Sequence, residues 1–372
     1  MGTCGLFLKR KLKNPLTIFA VFVLIITMCV SCATTTDEEV SENGAIKEND
    51  DEALIEEQEE ERRQKEKTQD QDLIEVSEEL IKVESKTEKG FHWDYYLFIP
   101  VLSIPEESSL PLLVTPNNTG KGHENIQVHD DAARSDASQT WKNQIARRLE
   151  VPQLVPVFPR ELGKYYTHQL SRDVMLIEDG NLQRIDLQLI AMIEDARELL
   201  GEKGVTMKEK ILLKGFSASG TFSIRFAILH PHLVRAVAAG GVNGLTTFPT
   251  EKWEGKKLRY PIGIADLEEI TGIRFDLDEY REIDQYIYMG SLDDNDTVWD
   301  GAPYYSGEDI KLIRDITSVD VQERWLISQQ IYKDLGIPVQ FETYEGVGHS
   351  VTHDMIKDVV SFFRDEVEVN EP

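Results

Sequence analysis

From about Phe91 onward, apolar runs of strand-like composition alternate with segments whose apolar residues recur at helical spacing, and this alternation leaves few architectures open. FHWDYYLFIP (Phe91 to Pro100) is a β-rich run ended by proline. LPLLVTP (Leu110 to Pro116), PQLVPVF (Pro152 to Phe158), ILLKGF (Ile211 to Phe216), LVRAVAAGG (Leu233 to Gly241), YIYMG (Tyr286 to Gly290) and VQFETY (Val339 to Tyr344) read as further strands. Helical patterns lie between them. One runs from Leu182 to Leu200, with Leu187, Ile190, Ile193, Ala196 and Leu200 on one face; FSIRFAILH is a second, stopped by Pro231. Two more cover Val321 to Leu335 and Met355 to Glu366. Strands separated by helices pair in parallel, and a parallel sheet must be covered on both faces. The expected fold class is therefore α/β, with a mainly parallel central sheet flanked by helices. Its reactive residues belong on turns at the carboxyl ends of the strands.

The N-terminal part obeys different rules. Lys9, Arg10, Lys11 and Lys13 precede an apolar run from Leu16 to Val30, which ends in Ser31-Cys32 and small residues. At about 15 residues the run is shorter than the roughly 20 needed to span a bilayer, so residues 1–32 read as a secretory signal. The ending resembles a bacterial lipoprotein signal, with Cys32 as the residue that receives the lipid. Cys29 departs from that pattern, which usually has an aliphatic residue three places before the lipidated cysteine. Residues 33–72 are Glu, Asp, Gln, Lys and Thr with almost no aromatic residues, too polar to build a core, and read as a tether. Within it, EEQEEERRQKEK (Glu56 to Lys67) pairs opposite charges at helical spacing. The folded domain is expected over residues 73–372, outside the cytoplasm and held to a membrane by its lipid; an uncleaved anchor and simple secretion are the alternatives, and both also place it outside the cytoplasm. Cys4, Cys29 and Cys32 all precede it, so it contains neither a disulfide nor a thiolate metal site. The net charge of −27, about half of it between Asp37 and Glu88, argues against nucleic acid, since neutralising phosphates needs clustered Lys and Arg.

Three strand ends carry chemistry. Gly215-Phe216-Ser217-Ala218-Ser219-Gly220 joins the strand ILLKG to the helix that follows. A nucleophile on so sharp a turn needs small residues two places to either side, and Gly215 and Ser219 meet that need. Ser217 is the candidate nucleophile, Ser219 the weaker alternative, and the backbone N–H of Ala218 would face a developing oxyanion. Gly290-Ser291-Leu292-Asp293-Asp294-Asn295-Asp296 follows YIYMG, where a carboxylate is needed to orient a histidine. Asp293 is preferred, with Asp294 and Asp296 as competitors. Gly346-Val347-Gly348-His349 follows the last strand and supplies a base on a glycine-flanked loop, whereas His353 reads as the start of the final helix. No metal cluster, phosphate loop or dinucleotide fingerprint stands out, and no cofactor is expected.

In the order Ser217, Asp293, His349, each after a successive strand, the chain from about Phe91 to Glu366 resembles the α/β-hydrolases. Within them it is most similar to secreted esterases of the polyhydroxyalkanoate-depolymerase and feruloyl-esterase type. The resemblance implies a Ser-His-Asp triad, an acyl-enzyme intermediate and an ester substrate. It also implies a second oxyanion donor on the loop Pro116-Asn117-Asn118-Thr119-Gly120, where many relatives have His-Gly. The N–H of Asn118 is preferred there, with Asn117 or Thr119 next. Residues of about 242–283 are long enough to form a small cap, in which Tyr260, Phe275 and Tyr280 either line a pocket or, by preference, pack on the sheet. Tyr166, His168 and Arg172, on the loop after PQLVPVF, are candidate substrate contacts. Two rival readings are a serine peptidase of the prolyl-oligopeptidase kind, which usually carries a long N-terminal propeller, and a noncatalytic surface binding lipoprotein.

Overall fold

The computed structural model describes residues 73–138, 144–163 and 166–368. The signal expected over 1–32, Cys32 and the tether expected over 33–72 lie outside the described residues. Eight strands form the central sheet: β1 (Glu79–Val83), β2 (Tyr95–Ile99), β3 (Leu113–Val114), β4 (Gln153–Pro156), β5 (Ile211–Phe216), β6 (Val234–Gly240), β7 (Asp284–Gly290) and β8 (Gln340–Tyr344). Their spatial order is β8-β7-β6-β5-β3-β4-β2-β1. Neighbours from β4 across to β8 pair in parallel, while β2 runs antiparallel to both β1 and β4. The order reverses between β3 and β4, which leaves β5 at the centre with its carboxyl end beside the loop that follows β3.

The continuous apolar runs follow from burial on two faces. Along β5, Ile211 and Leu213 enter the core on one side and Leu212 the core on the other. Helices α2 (Ile145–Leu149) and α7 (His353–Glu368) cover the Leu212 face together with Ala236, Ala238, Tyr286 and Tyr288. Met355, Ile356, Val359 and Phe363 of α7 are fully buried there, and each contributes about 1.5–3 kcal/mol of transfer free energy. The opposite face is covered by α3 (Ile185–Glu202), α4 (Ala218–Leu229), α5 (Gly307–Ile316) and α6 (Val321–Asp334). A further helix, α1 (Ile126–Ala137), packs Ala133 and Ala137 beside Tyr96 of β2 and Val155 of β4.

Several local expectations shift. The run Leu110 to Pro116 keeps only Leu113 and Val114 in the sheet, because Pro111 and Pro116 lack an N–H for the ladder; Leu110 instead pairs with Met207. Leu73–Val76 and β1 precede the first strand read from the sequence, and Leu73–Val76 pairs with Leu102–Pro105. On α3 the buried stripe runs through Ile185, Leu189, Met192, Ile193, Ala196 and Leu200, and Leu187 is 44% exposed. Asp186 and Asp195 share that buried side. Asp186 is met by Arg184 and His230, and Asp195 by Lys86, Lys89 and the Tyr95 hydroxyl. These buried carboxylates disguise the apolar stripe in the sequence.

The insertion between β6 and β7 holds a short ribbon, Lys252–Trp253 against Lys256–Lys257, and helices Leu267–Thr271 and Leu277–Arg281. Tyr260 and Tyr280 are wholly buried, donating to Leu170 O at 2.6 Å and to Gln285 Oε1 at 3.1 Å. The Phe275 ring lies 5.5 Å from that of Tyr280. Tyr260 and Tyr280 hold the insertion to the core, whereas Phe275 also lines a cavity with Glu251, Asp266 and Arg274. Among the described residues no helix is long and apolar enough to cross a membrane.

Candidate active site

The turn from β5 into α4 is as tight as its sequence implies. A Cβ on Gly215 would lie 2.2 Å from Ser219 O and 2.5 Å from Gly220 N, so strand and helix backbones touch at this position. Ser217, between them, has φ 61° and ψ −124°, a conformation that costs a non-glycine residue roughly 1–3 kcal/mol. Two bonds hold it there: Ser217 N donates to Gly240 O at 2.8 Å, and Thr221 N donates to Ser217 O at 3.0 Å. Ser219 is the departure from the usual small-residue pattern, and its hydroxyl donates to Phe216 O at 3.0 Å and accepts from Phe216 N at 3.0 Å. That hydroxyl ties the turn to the helix and is occupied. Ala218, the first residue of α4, has an N–H with no acceptor inside the helix.

His349 and Asp293 meet Ser217 from the ends of β8 and β7. His349 Nε2 lies 2.9 Å from Ser217 Oγ, and His349 Nδ1 lies 2.9 Å from Asp293 Oδ2. An ionised carboxylate only accepts, so the imidazole proton sits on Nδ1 and the Nε2 lone pair faces the serine hydroxyl. The Phe216 ring packs 5.0 Å from the imidazole and limits its swing. Close backbone approach brings these loops together: a Cβ on Gly290 would fall 2.0 Å from Val347 O, and one on Gly241 would fall 3.1 Å from the His349 ring.

The three neighbouring aspartates have separate places. Asp293 is 1% exposed, and its Oδ1 accepts from Asn295 N at 3.0 Å while Oδ2 faces His349. Asp294 is exposed. Asp296 pairs with the fully buried Arg324 of α6 and accepts from Val298 N at 2.8 Å. Gln322, also on α6, donates to the Asp293 carbonyl at 2.7 Å and fixes the loop's main chain.

The loop after β3 is clasped on both sides. Asn117 donates to Phe158 O at 2.9 Å and accepts from Phe158 N at 3.2 Å. The Asn118 side chain donates to Phe216 O at 3.1 Å and accepts from Gly120 N at 2.9 Å, which holds this residue directly against the serine turn. The three expected substrate contacts fare differently. His168 is buried at 1% exposure and points inward, its Nε2 donating to Phe158 O at 2.7 Å, so the expectation that it touches a ligand is corrected. Burial lowers its pKa to about 3, so the ring stays neutral. Arg172 is committed to Asp266 at 2.7 Å and to Tyr260 O at 2.9 Å, anchoring the insertion. Tyr166 packs its ring 4.7 Å from that of Tyr304, with the Arg160 guanidinium 5.9 Å from its centre. The sequence reading passed over His129, Asn243, Gln322 and Arg324, whose partners lie far along the chain; only the left-handed φ of 58° at Asn243 marks an unusual position.

The chain is similar in structure to several solved proteins. A poly(aspartic acid) hydrolase-1 from Sphingomonas sp. KT-1 matches with a TM-score of 0.48 and 14% identity, covering 77% of this chain and 97% of that one. A poly(3-hydroxybutyrate) depolymerase from Bordetella parapertussis matches at 0.46 and 18% identity, over 80% of this chain and 91% of the other. A ferulic acid esterase matches at 0.41 and 12% identity, over 80% and 97%. No family model matches the sequence, and no curated protein does. The strand order, the helices on both faces and the serine turn after β5 define the class: this is the α/β-hydrolase fold.

Proposed function

We propose that the protein is a serine hydrolase that cleaves carboxylic esters through an acyl-enzyme. The observation that carries this reading is the unbroken chain Ser217 Oγ, His349 Nε2, His349 Nδ1, Asp293 Oδ2, with both contacts at 2.9 Å, on a turn whose backbone is strained at the serine. In this reading His349 takes the Ser217 proton as Oγ attacks the ester carbonyl, and Asp293 stabilises the imidazolium that forms. The N–H groups of Ala218 and Asn118 receive the oxyanion. His349 then protonates the departing alcohol. Water, activated by the same ring, attacks the acyl-enzyme and releases the acid and free Ser217. The backbone conformation supports the reading physically: a structural serine has no need of a conformation that costs energy at φ 61°.

The same proposal places the domain outside the cytoplasm, tethered through a lipid on Cys32. It draws its support from the basic, apolar and Ser-Cys succession at the N-terminus. The test of the enzyme is labelling with a fluorophosphonate followed by hydrolysis of p-nitrophenyl acetate. Labelling at Ser217 that disappears in Ser217→Ala is the expected result, and an unlabelled wild-type protein would overturn the proposal. Parallel assays on feruloyl esters and a prolyl peptide separate an esterase from a peptidase.

A further inference from the structure

We infer that His129 is a positioning residue for the oxyanion loop, acting through the hydroxyl of Thr119; this rests on the serine-hydrolase reading above. His129 belongs to α1 and is wholly buried, yet it touches neither Ser217 nor the other residues of the triad. Its Nδ1 lies 2.6 Å from Thr119 Oγ1, one residue beyond Asn118. Its Nε2 lies 2.9 Å from His123 O and 3.2 Å from Arg160 N. His123 and Arg160 are themselves joined, His123 N donating to Arg160 O at 2.8 Å.

A neutral imidazole has one donor and one acceptor nitrogen, so the ring makes one bond at each end. With the proton on Nε2, it donates to His123 O and accepts the Thr119 hydroxyl proton at Nδ1. With the proton on Nδ1, it donates to Thr119 Oγ1 and accepts from Arg160 N. Both tautomers tie residue 119 to the joined segments 123 and 160. The bridge is therefore a property of the position and survives a change of tautomer.

Its consequence falls on Asn118. That residue is held from the serine side by its own amide on Phe216 O, and from the sheet side by Asn117 on Phe158. Thr119 is the remaining neighbour, and His129 is what holds its side chain. Behind His129 the His168 ring stands edge-on at 5.5 Å and donates to Phe158 O, which backs the same loop with a second rigid group. A hydrogen-bond donor aimed at a developing oxyanion works only if it does not have to move as charge appears. The ring supplies that rigidity from the side away from substrate.

The experiment compares Thr119→Val, His129→Leu, the double variant and His129→Gln with wild type on p-nitrophenyl acetate, together with binding of a trifluoromethyl ketone that forms a tetrahedral adduct. Thr119→Val and His129→Leu each lower kcat by about 10- to 100-fold, with KM changed less than about threefold, and weaken the ketone by the same factor as kcat/KM. The double variant is no worse than the more severe single, because both remove one bridge. His129→Gln, which keeps a donor and an acceptor, recovers part of kcat. A wild-type turnover in folded Thr119→Val, multiplicative losses in the double variant, or ketone affinity unchanged while kcat falls would each overturn the inference. Thr119→Val changes a half-buried loop residue and carries the test should His129→Leu not fold. A wild-type protein that is itself unlabelled by fluorophosphonate removes the hydrolase reading and this inference with it. A labelled wild type with an indifferent His129→Leu removes this inference alone.

Discussion

Replacing Asp293 by Asn isolates the acid of the proposed triad with almost no change in volume, and the hydrogen bonds around it set the expected outcome. Both carboxylate oxygens accept: Oδ1 from Asn295 N at 3.0 Å and Oδ2 from His349 Nδ1 at 2.9 Å. An Asn side chain offers one acceptor and one donor group, so one of these bonds is lost. If its oxygen keeps Asn295, its NH2 faces Nδ1, which must then accept; the imidazole proton moves to Nε2, where it blocks removal of the serine proton. If its oxygen keeps His349, two N–H groups confront each other at Asn295. The first arrangement avoids the clash and traps the wrong tautomer. The expected loss is about 10⁴-fold in kcat, or about 5.5 kcal/mol of transition-state stabilisation, with KM little changed. The assay is steady-state hydrolysis of p-nitrophenyl acetate, with fluorophosphonate labelling rates as a second readout and circular dichroism to check the fold. Asp294→Asn, at an exposed carboxylate, leaves turnover within about twofold. A folded Asp293→Asn enzyme that retains a tenth of wild-type turnover would refute the assignment.

Four further outcomes are expected. Gly215→Ala drives a methyl group into the backbone of Ser219 and Gly220, and lowers stability by about 2–3 kcal/mol together with activity, read by urea denaturation and turnover. Ser219→Ala removes the tie to Phe216 and costs about 1 kcal/mol, yet still labels with fluorophosphonate; loss of labelling would make Ser219 the nucleophile. His168 is neutral when folded, its pKa lowered to about 3, and ordinary at 6.5 when unfolded, so the unfolded chain binds the extra proton between those values and stability falls as pH drops below 6.5. At pH 4.5 this amounts to about 3 kcal/mol, and His168→Gln removes that part of the acid slope between urea midpoints at pH 7.5 and 4.5. Cys32→Ser, expressed in a bacterial host with labelled palmitate, loses the lipid label and moves from the membrane to the soluble fraction; a label that persists would place the anchor elsewhere.

What the sequence discloses depends on how far apart the partners lie. β5, the serine turn and α4 are one continuous stretch, and their logic of apolar run, small residues and helix is readable in it. α5 is absent from the helices read in the sequence, although Ser306 and Asp309 form a reciprocal cap before Ile310, Ile313 and Ile316. α1 carried almost no signal. Its buried face is His129, Asp130, Ala133 and Ala137, so the apolar period that marks a helix is missing, and only the Asn125 cap announces it. His129 belongs to that helix, which is why a residue so near the oxyanion loop left no trace in the pattern. The directions that the His168 and Arg172 side chains take were hidden for a related reason. A loop at a strand's carboxyl end faces the site in general, but the direction of each side chain is set by partners such as Phe158 and Asp266 that sequence position does not reveal.

The acid run gives the plainest case of such distant control. Asp293, Asp294 and Asp296 are chemically alike and lie within four positions, so nothing local distinguishes them. The distinction comes from the N-terminal part of α6. Gln322 holds the carbonyl of Asp293, and Arg324, buried with no exposed surface, takes Asp296 and also donates to Asn243 O at 3.1 Å. Asn243 accepts in turn from the Asn295 side chain at 2.7 Å, closing a ring of contacts around the loop. With Asp296 drawn to Arg324 and the backbone of Asp293 pinned, only the Asp293 side chain can point at His349. Removing Asp296 should therefore cost stability first, about 3 kcal/mol for the uncompensated buried guanidinium, and catalysis only as the loop loosens. Asp296→Asn with a lowered urea midpoint and a near-normal kcat fits that order, and the reverse order would assign Asp296 to the chemistry.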